Sequence, residues 1–286
     1  MKKIKFIFFS VALFSVIILM SFIADKEKKE EAFNIKNIEK SVVPLKGNLY
    51  AGKFEVSNVL YRAFIKSLIE NNKTDLLKTA QVDSLNWRDK LAYNEPYVAF
   101  YFRHPAYDNY PVVNVSYEGA VLFCEWLTKE YNAYPKRKYK KVIFRLPTES
   151  EWEKAAKGGL EMNEYAWGNR LFQCNHYMCN FRPMGDESIK YDTIKKQLVV
   201  VYAGNPGMVG SINDAADITS PVDAYWPNDY GIYNICGNAA EMVSEKGVSR
   251  GGGWKDVGGD VTIASKKHYT KSATDLGFRY FMEVVE

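Results

Sequence analysis

From Gly159 to the C-terminus the chain carries almost no hydrophobic periodicity, neither the 3.6-residue repeat of a helix nor the alternation of a strand. Glycine, proline, asparagine and aromatic residues dominate that half instead. Such a stretch predicts turns and short strands held together by side-chain contacts. Of the 286 residues, 47% are apolar and 25% charged, so the chain is globular and long enough to bury a sizeable core. No internal repeat is seen, and one large domain over residues 45–286 is expected.

The regular elements fall in the first half. Tyr50 to Val56 alternates as a short strand. Ser57 and Asn58 suit a helix cap ahead of Leu60, Phe64, Ile65, Leu68 and Ile69 on one face. Asn71 to Asn94 is polar and reads as an irregular excursion. A second helix follows Ser116, with Ala120, Cys124, Leu127 and Tyr131 sharing a face, and Pro135 ends it. Val142 to Leu146 reads as a strand. Thr148 and Glu151 then form a capping box, and Glu149, Glu151 and Glu153 suit the positive end of the helix dipole. Trp152, Ala155 and Ala156 pack inward, and Gly158 stops the helix.

Lys2, Lys3 and Lys5 precede an apolar stretch from Phe6 to Ala24. Residues 1–24 therefore read as an export signal, either cleaved or retained as a membrane anchor. Residues 25–44 read as a charged linker. The net charge of +4 gives no reason to propose nucleic-acid binding, and the short run from Lys136 to Lys141 reads as a solvated turn. Four cysteines, Cys124, Cys174, Cys179 and Cys236, leave three full pairings open. His176 lies between Cys174 and Cys179, but no fourth metal ligand accompanies them. A local disulfide or two free thiols is the expectation there.

The string Arg145-Leu-Pro-Thr-Glu-Ser-Glu-Trp-Glu-Lys-Ala-Ala resembles a signature of the formylglycine-generating-enzyme (sulfatase-modifying-factor) family. Further pieces follow in family order: Tyr165-Ala-Trp-Gly-Asn, Pro221-Val-Asp-Ala-Tyr, Asn228-Asp-Tyr-Gly-Ile-Tyr-Asn, Gly237-Asn-Ala-Ala-Glu, Arg250-Gly-Gly-Gly-Trp and Gly277-Phe-Arg. Upstream, Phe54-Glu-Val-Ser-Asn and Pro111-Val-Val-Asn-Val-Ser match as well. The resemblance implies an α+β fold related to C-type lectins, with low regular secondary structure. Within the family, Asn94-Glu-Pro-Tyr and the string from His104 to Val113 look closest to gliding-motility lipoproteins of the K and J type. Those are envelope components of type IX secretion in Bacteroidetes.

The family's oxidase activity uses two cysteines after a Gly-Gly-Ser-aromatic motif, which hold copper(I) through soft thiolates. Here the two positions fall on Asp256 and Val261, Gly253 replaces the serine, and no cysteine follows Cys236. The resemblance thus implies no copper and no such oxidation. The three histidines, His104, His176 and His268, lack the spacing of a facial iron triad. The resemblance also implies structural calcium on hard oxygen ligands. One set would be Gly237, Asn238, Ala239 and Glu241, the other Asn180, Phe181, Asp214 and Ala216. Three readings follow. One is a non-catalytic envelope protein with protein partners. The second is an enzyme of unknown reaction in the cleft lined by Arg250, Trp254 and Asp256. The third is a carbohydrate or peptide binder using that same cleft.

Overall fold

The computed structural model describes residues 33–88, 93–174, 176–182, 189–192, 194, 196–200 and 218–286. Its helices are α1 (Ile35–Lys40), α2 (Asn58–Glu70), α3 (Thr74–Ala80), α4 (Glu95–Phe100), α5 (Tyr117–Ala133) and α6 (Glu149–Lys157). The strands are short: β1 (Val42–Pro44), β2 (Leu49–Gly52), β3 (Val142–Arg145), β4 (Phe172–Gln173), β5 (His176–Tyr177), β6 (Ile189–Asp192), β7 (Gln197–Val200), β8 (Ala240–Met242), β9 (Val248–Arg250), β10 (Lys266–His268), β11 (Leu276–Phe278) and β12 (Phe281–Val284). The expected α+β class with sparse regular structure is what the chain forms.

Local chemistry fixes the helix starts. The Ser57 and Ser116 hydroxyls accept from the Leu60 and Gly119 amides, so each caps its helix. Thr148 and Glu151 make the full reciprocal box, and Gly158 ends α6 in the left-handed region at φ 59°.

The first sheet runs β1-β2-β12-β3 and carries an apolar layer on each side. Val142, Phe144 and Met282 face Phe64, Phe123 and Leu127 of α2 and α5. Their neighbours along the strands, Val43, Ala51 and Phe281, face the other way, onto Trp152, Ala155 and Ala156 of α6. This is the period-2 alternation of a strand buried on both faces. The second sheet, β10-β9-β8-β11, aligns Glu241 with Arg250 on one side and Gly277 on the other. β11 runs into β12 through Arg279 and Tyr280, so Arg279 stands at the junction of the two sheets.

Three expectations change. The charged linker gives way before residue 44: Phe33 packs on Trp126 with ring centroids 4.6 Å apart, and Ile35 and Ile38 of α1 join the main core. Each such side chain contributes roughly 1.5–3 kcal/mol of burial, which outweighs the polar character of its neighbours. The excursion after Asn71 is not irregular throughout, since it holds α3 and a 3-10 turn, Ser84–Trp87. The buried stripe of α2 is Tyr61, Phe64 and Leu68, whereas Ile69 is 57% exposed. Tyr61 enters the core because its hydroxyl donates to the Ala80 carbonyl at 2.9 Å. Among the described residues no helix is long and apolar enough to cross a membrane. The segment from Phe6 to Ala24 lies outside the described residues.

Candidate functional site

The Gly237-Asn motif forms a tight turn with left-handed backbone at Asn234, Gly237 and Asn238. Asn238 ties four segments together. Its backbone amide donates to the Asn180 carbonyl at 2.7 Å. Its Oδ1 accepts from the Ser220 amide at 2.6 Å, and its Nδ2 donates to Glu55 Oε1 at 2.9 Å. Asn180 in turn donates to the Ile218 carbonyl at 2.7 Å. The loops of the C-terminal half are thus held by buried amide contacts rather than by sheet.

Glu55 escapes sequence reading because its burial is a property of the assembled loops. It is 2% exposed, and its carboxylate meets the amides of Asn234 and Asn238. Burial pushes its carboxyl well above the usual range, against the opposing pull of Arg279. A raised carboxyl means the folded state holds its proton at pH values where the unfolded state has lost it. Stability is therefore fullest below the ordinary glutamate range and falls as pH rises from there through the folded-state value, by at most about 1.4 kcal/mol per pH unit. Glu55→Gln is expected to flatten this slope in urea titrations between pH 5 and 8. Parallel curves for the two proteins would show that Glu55 does not set the slope.

Glu241 is held more firmly still. Arg279 donates from Nη2 to Oε1 at 2.6 Å and from Nε to both oxygens at 3.0 Å, with the two side chains 0% and 1% exposed. Trp152 Nε1 donates to Oε2 at 2.8 Å. The remaining Arg279 donors reach the carbonyls of Gly52 and Tyr233. Tested against these contacts, Gly237, Asn238, Ala239 and Glu241 do not fit a calcium ion: the charged ligand is committed to a guanidinium, and Asn238 Oδ1 to an amide. Of the second calcium set, Asn180 and Phe181 are buried and the Asn180 carbonyl accepts from Asn238. Asp214 and Ala216 lie outside the described residues. Among the described residues no group of three His, Cys, Asp or Glu side chains is placed to hold a metal.

The expected cleft residues do not converge; each is engaged with its own partners. Arg250 lies over the Trp152 ring and donates to the Ile263 carbonyl at 2.9 Å, with Glu149 and Glu153 beside it. Trp254 stacks on Trp87 of the excursion at 6.2 Å, in a cluster with Tyr97, Tyr101 and Tyr107, and donates to the Thr274 carbonyl. Asp256 accepts from the Gly253 amide at 2.8 Å and pairs with Lys267. Val261, the second thiolate position, is fully buried against Tyr165, Cys179 and Phe181. A serine at Gly253 would place its Cβ 2.8 Å from the Asp275 carbonyl oxygen.

All four cysteines are free. Cys174 is exposed at the tip of the β4–β5 hairpin while Cys179 is buried, so the two thiols do not form one site. Burial raises the Cys179 thiol and pushes Cys236 up to about 12, which disfavours the thiolate in both. His104 Nδ1 accepts from the Ala106 amide, a structural contact, and His176 packs on Trp226.

A concavity lies elsewhere, at residues that no sequence string marks as a site. It is an open groove of about 730 Å³ between the β1–β2 turn and the C-terminal end of α6. Leu45, Leu49, Leu160 and Tyr230 supply its apolar surface; Lys46, Lys154 and Lys157 supply its cations, of which Lys157 pairs with Glu153.

Residues 26–284 match the model of the sulfatase-modifying factor enzyme 1-like domain. The formylglycine-generating enzyme of Bos taurus is 30% identical over 228 residues, covering 68% of this chain and 48% of that protein. That of Thermomonospora curvata is 36% identical over 137 residues, 48% of this chain and 34% of its own. The inactive C-alpha-formylglycine-generating enzyme 2 of Bos taurus is 31% identical over 180 residues, covering 59% and 45%. The chain spans less than half the length of each. In structure, Treponema denticola variable protein 1 aligns over 85% of this chain and 91% of its own, with a TM-score of 0.52 and 18% identity. CarF aligns over 83% and 87%, with a TM-score of 0.51 and 20% identity.

Proposed function

Since this chain belongs to the sulfatase-modifying factor enzyme 1-like domain family, with an aspartate and a core valine at the two thiolate positions, we propose that it is a non-catalytic member exported to the cell envelope as an interaction protein. The observation that carries the reading is the state of Asp256 and Val261. Copper(I) selects soft thiolates; here one position is a carboxylate tied to Gly253 and Lys267, and the other is closed inside the core. Similarity to a relative named as inactive supports it. The basic and apolar N-terminus supports export. The strings at Asn94 and His104 support a setting in gliding motility or type IX secretion.

Incubated with copper and a Cys-x-Pro-x-Arg peptide, the purified protein is expected to form no aldehyde above a no-protein control. Asp256→Cys combined with Val261→Cys is expected to leave this unchanged, because position 261 is closed inside the core. Turnover by the unaltered protein would sink the non-catalytic reading. An alkaline phosphatase fused after Glu286 tests export separately, since that reporter needs an oxidising compartment. An inactive fusion in cells would remove the envelope assignment.

A further inference from the structure

We infer that the groove between the β1–β2 turn and α6 is a docking site for an extended peptide that alternates acidic and apolar residues. This rests on the reading of the chain as an interaction protein and names the chemistry of what it holds. Two carboxylates at or beside the groove are committed. Glu151 is bound bidentately by Arg145 and also accepts from the Thr148 amide, and Glu153 pairs with Lys157 at 3.2 Å. Among the described residues Lys46 and Lys154 have no carboxylate partner, and both are exposed. Only Glu161 opposes them. The groove therefore presents two uncommitted cations beside Leu45, Leu49, Leu160 and Tyr230, which complements a ligand with carboxylates and aliphatic side chains.

Its walls are built in advance. Asn228 is 6% exposed; its Nδ2 donates to the Ala155 carbonyl at the end of α6, and its Oδ1 accepts from the Tyr230 amide at 3.1 Å. One buried side chain thus fixes both the helix end and the Tyr230 wall. A preformed site spares the ligand the cost of ordering it. The groove is open to solvent rather than enclosed, so a chain can lie across it. Leu160 and Tyr230, at 38% and 40% exposure, are anchors still available to a partner.

The test uses the whole protein and a dye-labelled hexapeptide alternating leucine and glutamate, with binding read by fluorescence anisotropy. Saturable binding is expected, weakened several-fold between 0.05 and 0.3 M salt. Lys46→Glu with Lys154→Glu should weaken it about tenfold or more, and Tyr230→Ser should weaken it at low and high salt alike. A hexapeptide alternating leucine and lysine should not compete. The inference is overturned if the lysine peptide binds equally well, if the charge-reversed protein binds like wild type, or if only a fatty acid such as laurate binds. Those outcomes leave the aldehyde and export tests untouched, so failure of the groove and failure of the wider reading are told apart.

Discussion

Arg279→Met is expected to cost about 3–5 kcal/mol, the usual result of removing one partner from a buried ion pair. That is a fifth or more of the stability of an ordinary domain. Arg279 is wholly buried where β11 passes into β12, and it spends its donors on Glu241 and on the carbonyls of Gly52 and Tyr233. Methionine fills much of the volume but leaves the Glu241 carboxylate in the core with only the Trp152 indole as donor. Two carbonyls also lose their partner, each a further desolvation cost. Adding Glu241→Gln should recover part of the loss. The amide oxygen still accepts from Trp152, and the stranded charge is gone. The cycle of single and double variants, measured by denaturant titration, should therefore show a coupling of roughly 1–3 kcal/mol. The same values are expected in calcium and in chelator, because the carboxylate answers to Arg279. A calcium-dependent penalty for Glu241→Gln would return Glu241 to the role of metal ligand. Additive single losses would instead show that the pair contributes little beyond its parts.

How much of this network the sequence discloses depends on the distance along the chain over which each contact acts. The capping box of Thr148 and Glu151, the Ser57 cap, the helix start after Ser116 and the stripe Ala120, Cys124, Leu127 and Tyr131 are set within a turn or two. They appear as read. The α2 stripe moves by one position because Tyr61 finds an acceptor in Ala80, 19 residues away. α1 is hidden because its two core residues, Ile35 and Ile38, sit among charged neighbours that remain in solvent. The motif strings are legible as strings, but their roles are not. Glu55 reads only as part of an upstream match, yet it meets Asn238 across 183 residues of chain. Glu241 reads as a metal ligand until Arg279 is placed beside it. Trp254 reads as a cleft residue until Trp87 from the excursion stacks on it. The groove is not legible as a site although Lys154 and Tyr230 stand in matched strings, because its lining residues come from a turn, a helix end and Tyr230, which only the fold brings together.

The glycines of the Arg250-Gly-Gly-Gly-Trp motif are a case where the structure supplies the reason for the string. Gly252 lies in the left-handed region at φ 64°, and a Cβ there would stand 2.3 Å from the Asp260 carbonyl oxygen and 3.0 Å from Val261 Cγ1. Gly252→Ala therefore meets two costs. A side chain in that backbone region adds strain of roughly 1–3 kcal/mol, and overpacking against neighbours that cannot easily yield adds about 1–3 kcal/mol more. The neighbours cannot easily yield because Asp260 closes the 3-10 turn Gly258–Asp260, and the next residue, Val261, is locked in the core. A loss of roughly 2 kcal/mol or more is expected in denaturant titration. Gly259→Ala is the matched control in the same loop. Nothing lies within 4 Å of its Cβ position and its backbone is not left-handed, so its midpoint should move by no more than about 0.5 kcal/mol. Equal effects from the two substitutions would mean that the loop gives way as a whole. The close approach of Gly252 to Asp260 would then not be what holds residues 256–261 in place.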